Sequence, residues 1–108
     1  MLNQVFFFGR VANEPIIKEL PDGKILGEMT LAVQRPFKNG ETGEYQTDFI
    51  KVSIWQGYAE TAKQYCTKGS VVGVKGHINV YKREIENTNV SIPEIIVDNL
   101  FFVNLVDK

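Results

Sequence analysis

Cysteine and histidine are almost missing from this 108-residue chain, which contains one residue of each, Cys66 and His77. A single cysteine cannot form a disulfide within the chain, and it is consistent with a reducing compartment. One histidine and one cysteine also argue against a transition-metal site built from the usual ligands. The sequence therefore predicts neither a disulfide framework nor a bound metal.

Catalytic patterns are missing as well. The chain has no glycine-rich phosphate loop of the Walker or dinucleotide type, and its acidic residues show no close pairing of the kind used in acid–base catalysis. Cys66 falls on the apolar side of a predicted helix, where a small buried residue is expected rather than a nucleophile. His77 is interpreted as structural or as part of a groove. We predict a protein that is not an enzyme, with no catalytic residue and no cofactor.

Long hydrophobic runs and an excess of charge are the other absences. The N-terminal apolar run Val5–Phe8 has four residues, too few for a signal-peptide core or a membrane span. The predicted localisation is cytoplasmic, with no membrane partner. The 12 Lys and Arg residues against 13 Asp and Glu residues give a net charge of −1, which argues against a generally cationic protein. The net charge does not exclude a local basic groove, because binding depends on where the charges lie.

What the chain does contain is alternation of apolar and polar residues, interrupted by turn residues. This texture predicts strands in 2–11, 16–20, 24–34, 47–55, 70–84 and 90–106, with residues 13–15 ending the first strand. The apolar spacing in 58–69 predicts the one helix, ending at Gly69. Counted with the hairpin of 16–34 as one segment, five β segments with one short helix between the third and fourth predict an all-β, five-stranded OB-fold Greek-key barrel, a single domain over residues 1–108. A plain β-sandwich is the competing interpretation, but it has no need for the helix.

The stretch DFIKVSIWQG, residues 48–57, carries the first functional signal. Side chains on a strand alternate between two faces, so Ile50, Val52 and Ile54 are expected to face the core. The residues that turn away from the core are then Phe49, Lys51, Ser53 and Trp55. Two large aromatic residues with a lysine between them are unusual on a solvent-facing side.

Aromatic and basic residues alternate again in two other segments. Phe37 lies between Arg35 and Lys38, and Tyr81 shares a strand face with Arg83, with Lys82 between them. Single-stranded nucleic acid offers exposed base faces and a phosphate chain, so a protein that binds it needs stacking rings and nearby cations. Packing in a core or an interface is the alternative for each aromatic residue, and RNA is as compatible with stacking as DNA.

The N-terminal run predicts a contact between copies of the chain. Val5 and Phe7 face one side of the first strand, and Phe6 and Phe8 face the other. A strand that is apolar on both faces is expected to be covered on both, and an oligomer would supply the second layer. Coverage by the barrel's own loops is the alternative.

Three segments resemble one known family. They are MLNQVFFFGRVANEP (1–15), TLAVQRPF (30–37) and TDFIKVSIWQGYAETAKQYCTKGSVVGVKGHI (47–78), and they are similar to the bacterial and phage-type single-stranded DNA-binding proteins. The resemblance extends over essentially the whole chain, in order and in spacing. It implies an OB-fold that assembles as a homotetramer and binds single-stranded DNA with little sequence preference during replication, recombination or repair.

The resemblance also implies roles for individual residues. The family's stacking positions fall on Phe37, Phe49 and Trp55, while its fourth aromatic position is occupied by Arg83. Tyr81, one same-face step earlier, is expected to stack in its place. The basic contacts to phosphate are expected to be Arg10, Arg35, Lys38, Lys51, Lys82 and Arg83.

The end of the chain departs from the cellular members of the family. Those members carry a linker rich in Gly, Pro and Gln and an acidic tip that recruits replication and repair enzymes, whereas this sequence stops at FFVNLVDK. Either a tail has been removed or the chain is a short member from a phage or mobile element. Replication or recombination proteins are partners that the resemblance implies. A primosomal accessory module or an assembly protein acting through protein contacts is the alternative function.

Overall fold

Five strands and one short helix follow each other in the predicted order in the computed structural model, which describes residues 1–106. The strands form a closed barrel in the order β1-β2-β3-β5-β4, with β4 pairing back to β1. This is the predicted five-stranded barrel, and its helix lies between the third and fourth strands. The elements are β1 (Val5–Glu19), β2 (Ile25–Lys38), β3 (Tyr45–Trp55), α1 (Gly57–Tyr65), β4 (Val71–Ile85) and β5 (Thr88–Asn104).

The first strand is longer than the sequence predicted. Residues 13–15 do not end it, because the register with β2 shifts between Val11 and Asn13 and again between Asn13 and Ile16. Such irregularities accommodate Pro15, which has no N–H to donate to a neighbouring strand. The continuous strand therefore bends around the barrel, pairing with β4 through residues 5–10 and with β2 through residues 10–19.

The helix is shorter than predicted and ends at Tyr65 rather than near Gly69. Ala59 and Ala62 are fully buried, and so is Cys66, whose N–H donates to the Ala62 carbonyl oxygen. Burial raises the pKa of the Cys66 thiol to about 11, which fits its expected role as a small packing residue. Among the residues that the structure describes, no helix is long and apolar enough to cross a membrane.

The barrel interior is filled by the inward-facing residues of all five strands and by the helix. Val52 and Ile54 are fully buried and Ile50 packs against them, as the alternation of β3 predicted. The most deeply buried apolar residues are Val11, Met29, Leu31, Val52, Ile54, Ala59, Ala62, Cys66, Val72 and Val74. With the inner face occupied in this way, the other face of β3 must turn outward.

The fourth and fifth strands form a long hairpin that continues past the barrel. Pairing extends to Ile85 and Thr88, and the two residues between them, Glu86 and Asn87, have φ values of 50° and 64°. Two consecutive positive φ values are typical of a type I′ turn, whose twist matches that of paired strands. Parallel pairing of Val52 with Ile95 closes the barrel and brings this hairpin beside the outer face of β3.

Candidate nucleic-acid interface

The outward face of the β2–β3 pair forms a regular surface, which we call the outer ribbon. Residues that pair across two strands point to the same side of a sheet, and the register fixes those pairs. They are Leu26–Trp55, Glu28–Ser53, Thr30–Lys51 and Ala32–Phe49. Phe49, Lys51 and Trp55 therefore share one face, as predicted.

The two aromatic residues of the outer ribbon differ in exposure. The Phe49 ring is open to solvent, with 69% of the residue's surface exposed, because its cross-strand neighbour is the small Ala32. Trp55 is half-buried and pairs with Leu26. Phe49 thus offers a free ring face, whereas Trp55 contributes to packing as well.

A third aromatic ring lies near the tip of the β2–β3 hairpin. Phe37 is 76% exposed, and the tip beyond it is closed by a hydrogen bond from the Asn39 N–H to the Glu44 carbonyl. The Lys38 ammonium group lies 5.6 Å from the centre of the Tyr45 ring, a cation–π distance. The hairpin therefore presents an open ring and a cation together, and Tyr45 is a neighbour that the sequence analysis did not single out.

Arg10 lies in the same cross-strand row as Phe49. It pairs with Ala32 on β2, which in turn pairs with Phe49 on β3. Its guanidinium Nη1 donates to the carbonyl oxygen of Gly69 at 2.7 Å. A cation predicted from the sequence is thus placed on the surface that carries the open ring.

A groove of about 270 Å³ separates the outer ribbon from the β4–β5 hairpin. It brings Lys51 of β3 together with Tyr81 and Arg83, which share one face of β4 as predicted, and Tyr81 is 43% exposed there. Lys82 alternates to the other side of β4 and does not line the groove. The lining residues are Glu28, Lys51, Ser53, Tyr81, Arg83, Ile92, Pro93 and Glu94.

Ser53 differs from its outward neighbours because it is only 5% exposed. Its hydroxyl donates to a carboxylate oxygen of Glu94 at 2.8 Å, so β5 covers it from the side. Glu94 was not identified from the sequence, since its position next to β3 depends on the parallel closure of the barrel.

Arg35 is held by a carboxylate on the neighbouring strand. Its Nε and Nη2 atoms each donate to Asp48 at 2.9 Å, and Nη1 donates to the Gln46 side chain at the same distance. The guanidinium hydrogen bonds hold the pKa of Asp48 below its ordinary value and raise the pKa of Arg35. This predicted phosphate contact is therefore paired within the chain.

Lys51 is paired as well, with a partner that it shares. Its ammonium nitrogen lies 2.5 Å from one carboxylate oxygen of Glu28, and the Lys18 nitrogen lies 3.0 Å from the other. Hydrogen bonds from Lys51 and then Lys18 hold the pKa of Glu28 below its ordinary value, and Glu28 in turn raises the pKa of Lys51. Lys18 was missed by the sequence analysis, because only the strand register shows which residue it approaches.

A separate apolar patch lies on the outside of β1, β4 and β5. The Phe6 ring centre is 5.2 Å from that of Phe8 and 5.8 Å from that of Phe101. The Phe8 ring occupies the space above Gly73, where an added Cβ would lie 2.6 Å from the ring. Phe6 and Phe8 are 55% and 51% exposed, whereas Phe7 packs against the core and Val5 shares its inward face.

Comparison with known proteins agrees with this geometry. Residues 2–103 match the model of the Single-strand binding protein family. The chain is 38% identical over 106 residues to Single-stranded DNA-binding protein B of Bacillus subtilis (strain 168), covering 96% of this chain and 92% of that one. It is 37% identical over 106 residues to Single-stranded DNA-binding protein 2 of Staphylococcus aureus (strain Mu50), covering 95% and 73%. A solved structure described as the Plasmodium falciparum SSB complex with ssDNA superposes with a TM-score of 0.81 at 27% identity, covering 96% of both chains.

Proposed function

Because this chain belongs to the single-strand binding protein family, we propose that it binds single-stranded DNA across the outer ribbon and the adjoining hairpin. The observation that carries the proposal is the open Phe49 ring on a face that also holds Arg10 and Lys51, with a second open ring, Phe37, near the tip of the same hairpin. Exposed aromatic surface is costly in water unless a partner covers it. Unpaired bases would cover these rings, and a duplex, whose bases are already stacked, would not.

The proposed roles divide between bases and phosphates. Bases stack on the aromatic side chains, and each stack contributes about 1–3 kcal/mol in proteins of this kind. The cations follow the phosphate chain, with Lys82 serving a strand that passes over the other side of the hairpin. The stacking residues are Phe37, Phe49, Trp55 and Tyr81, and the phosphate contacts are Arg10, Arg35, Lys38, Lys51, Lys82 and Arg83.

Low sequence preference follows from the kind of contact that the face offers. Every base has a flat face, so ring stacking does not depend on which base is present. Phosphate contacts position the strand and carry no sequence information of their own. We therefore propose a protein that covers and protects transient single strands during replication, recombination or repair, without catalysis and without a cofactor. The cytoplasm is the proposed place of action, and replication or recombination proteins are proposed as partners.

The apolar patch supports the proposal that the chain assembles with copies of itself into a homotetramer. Phe6 and Phe8 are the residues that a partner would cover, because both are about half exposed and lie against each other. Val5 and Phe7 were also expected at this contact. They face inward, so their proposed part is to hold the strand that presents Phe6 and Phe8.

Competition between nucleic acids tests the binding proposal. We expect the protein to retain a labelled 40-nucleotide oligo(dT) in the presence of an excess of duplex DNA of the same length, because a duplex leaves no base face free for stacking. Binding is also expected to weaken with added salt, since phosphate contacts release counterions. The measurement is fluorescence anisotropy with unlabelled single-stranded DNA, duplex DNA and RNA as competitors. Displacement by duplex DNA as readily as by single-stranded DNA would contradict the proposal.

A further inference from the structure

We infer that Glu28 occupies a phosphate site in the free protein, where its carboxylate takes the place that a phosphate of the bound strand takes between Lys18 and Lys51. The inference rests on the proposed function and adds one residue that limits the affinity, Glu28, and one cation of the path, Lys18. In the bound state, the two ammonium groups turn from the carboxylate to the DNA. Glu28 thereby sets how tightly this surface holds a polyanion.

The geometry shows a carboxylate shared by two cations from the strands on either side. Lys18 comes from β1 and Lys51 from β3, and each binds a different oxygen of Glu28, on β2, at 3.0 Å and 2.5 Å. The Glu28 side chain is only 18% exposed, while the side chains of Lys18 and Lys51 are 58% and 67% exposed. A phosphate approaching from solvent therefore meets the ammonium groups before it meets the carboxylate.

The same three residues lie where two grooves join. Glu28 and Lys51 line the groove beside Tyr81, and both also line a second groove of about 170 Å³ that includes Ile16 and Lys18. A strand that leaves Tyr81 and crosses toward β1 would pass over this cluster. The continuous surface supports a path for the phosphate chain that the sequence analysis, which assigned only Lys51, did not include.

The charges explain why Glu28 would oppose binding. With Glu28 ionised, the cluster carries a net charge of +1, and with a neutral side chain in its place it would carry +2. A carboxylate and a phosphate accept the same charge-assisted hydrogen bonds from a lysine, so the two compete for the same donors.

Glu28→Gln tests the inference, because it removes the charge and keeps the shape and an acceptor oxygen. We expect the affinity for oligo(dT) to rise about three- to tenfold at low ionic strength. The slope of log affinity against log salt is expected to steepen by about 0.7, the value of one further phosphate contact on a single strand. Glu60→Gln is the matched control, since Glu60 lies on α1 in a groove with Lys63 and Gln64 and the change in net charge is identical. We expect its affinity to equal that of the unsubstituted protein.

A second background separates this effect from a general change in charge or folding. In a Lys18→Ala/Lys51→Ala protein, Glu28→Gln should leave the affinity nearly unchanged, because the donors for which Glu28 competes are gone. An unchanged or weaker affinity for Glu28→Gln alone, or a gain that persists in this background, would overturn the inference. If the unsubstituted protein binds oligo(dT) and Glu28→Gln binds no better, only the inference fails. If the unsubstituted protein does not bind at all, the proposed function fails with it.

Discussion

Replacing Phe37 and Phe49 together with alanine is expected to weaken binding of oligo(dT) by about thirtyfold or more. Two stacked bases contribute together about 2–6 kcal/mol, and 2 kcal/mol already corresponds to about thirtyfold in affinity. Both rings are more than two thirds exposed, so their removal takes little from the core. The melting temperature should therefore stay close to that of the unsubstituted protein while the affinity falls. Anisotropy titrations and thermal unfolding of the same sample measure the two quantities.

Tyr65→Ala is the matched control for this loss. Tyr65 is 44% exposed and lies against Phe102 at the end of α1, away from the outer ribbon. The control tests whether removal of any exposed aromatic residue lowers the affinity. A loss of less than about threefold for Phe37→Ala/Phe49→Ala, or an equal loss for Tyr65→Ala, would contradict stacking on these two rings.

Phe49 is a better residue for this test than Trp55. Trp55 is half-buried and pairs with Leu26, so its replacement by alanine would remove packing as well as a stacking surface. A combined loss of stability and affinity could then not be assigned to one cause. The open Phe49 ring separates the two.

The second large effect is expected at the apolar patch. Phe6→Glu/Phe8→Glu should convert the proposed homotetramer, whose mass would be four times the 12.2 kDa of the chain, into monomers. Burying two carboxylates without partners is strongly unfavourable, so the copies should separate rather than bury the new charges. In the monomer, both side chains are about half exposed and a carboxylate can remain in water. Sedimentation equilibrium measures the mass directly.

The same charges placed elsewhere provide the control. Phe37→Glu/Phe49→Glu adds two carboxylates at exposed phenylalanines of the β2–β3 hairpin, and its mass should remain that of the unsubstituted protein. A monomeric unsubstituted protein, or an unchanged mass for Phe6→Glu/Phe8→Glu, would contradict the proposed contact.

Much of the fold could be predicted because the alternation of apolar and polar residues shows which face of each strand is buried. Val52 and Ile54 are buried and Phe49 and Lys51 are exposed, because successive side chains of a strand point to opposite faces of the sheet. The first strand was wrongly ended at residues 13–15. Asn13 and Pro15 are turn residues by composition, and only the pairing with β2 shows that two register shifts absorb them.

The ion pairs of the candidate site could not be predicted from the sequence, because they join residues on different strands. A free Asp48 carboxylate would repel phosphate, yet in the structure it accepts hydrogen bonds from Nε and Nη2 of Arg35. The contacts of Glu28 with Lys18 and Lys51 likewise depend on the registers of two strand pairs. A sequence shows which residues share a face, but not which charges on neighbouring strands meet.

The central claim is that a single strand binds along the outer ribbon. It is tested most directly by titrating the protein with oligo(dT) while the fluorescence of Trp55 is monitored. Trp55 is the single tryptophan of the chain, so every change in signal has one source. A base stacked against it should quench the emission at low salt, less so at high salt, and duplex DNA should not reverse the quenching. Emission that stays constant while the oligonucleotide is in excess would contradict a strand bound along the outer ribbon.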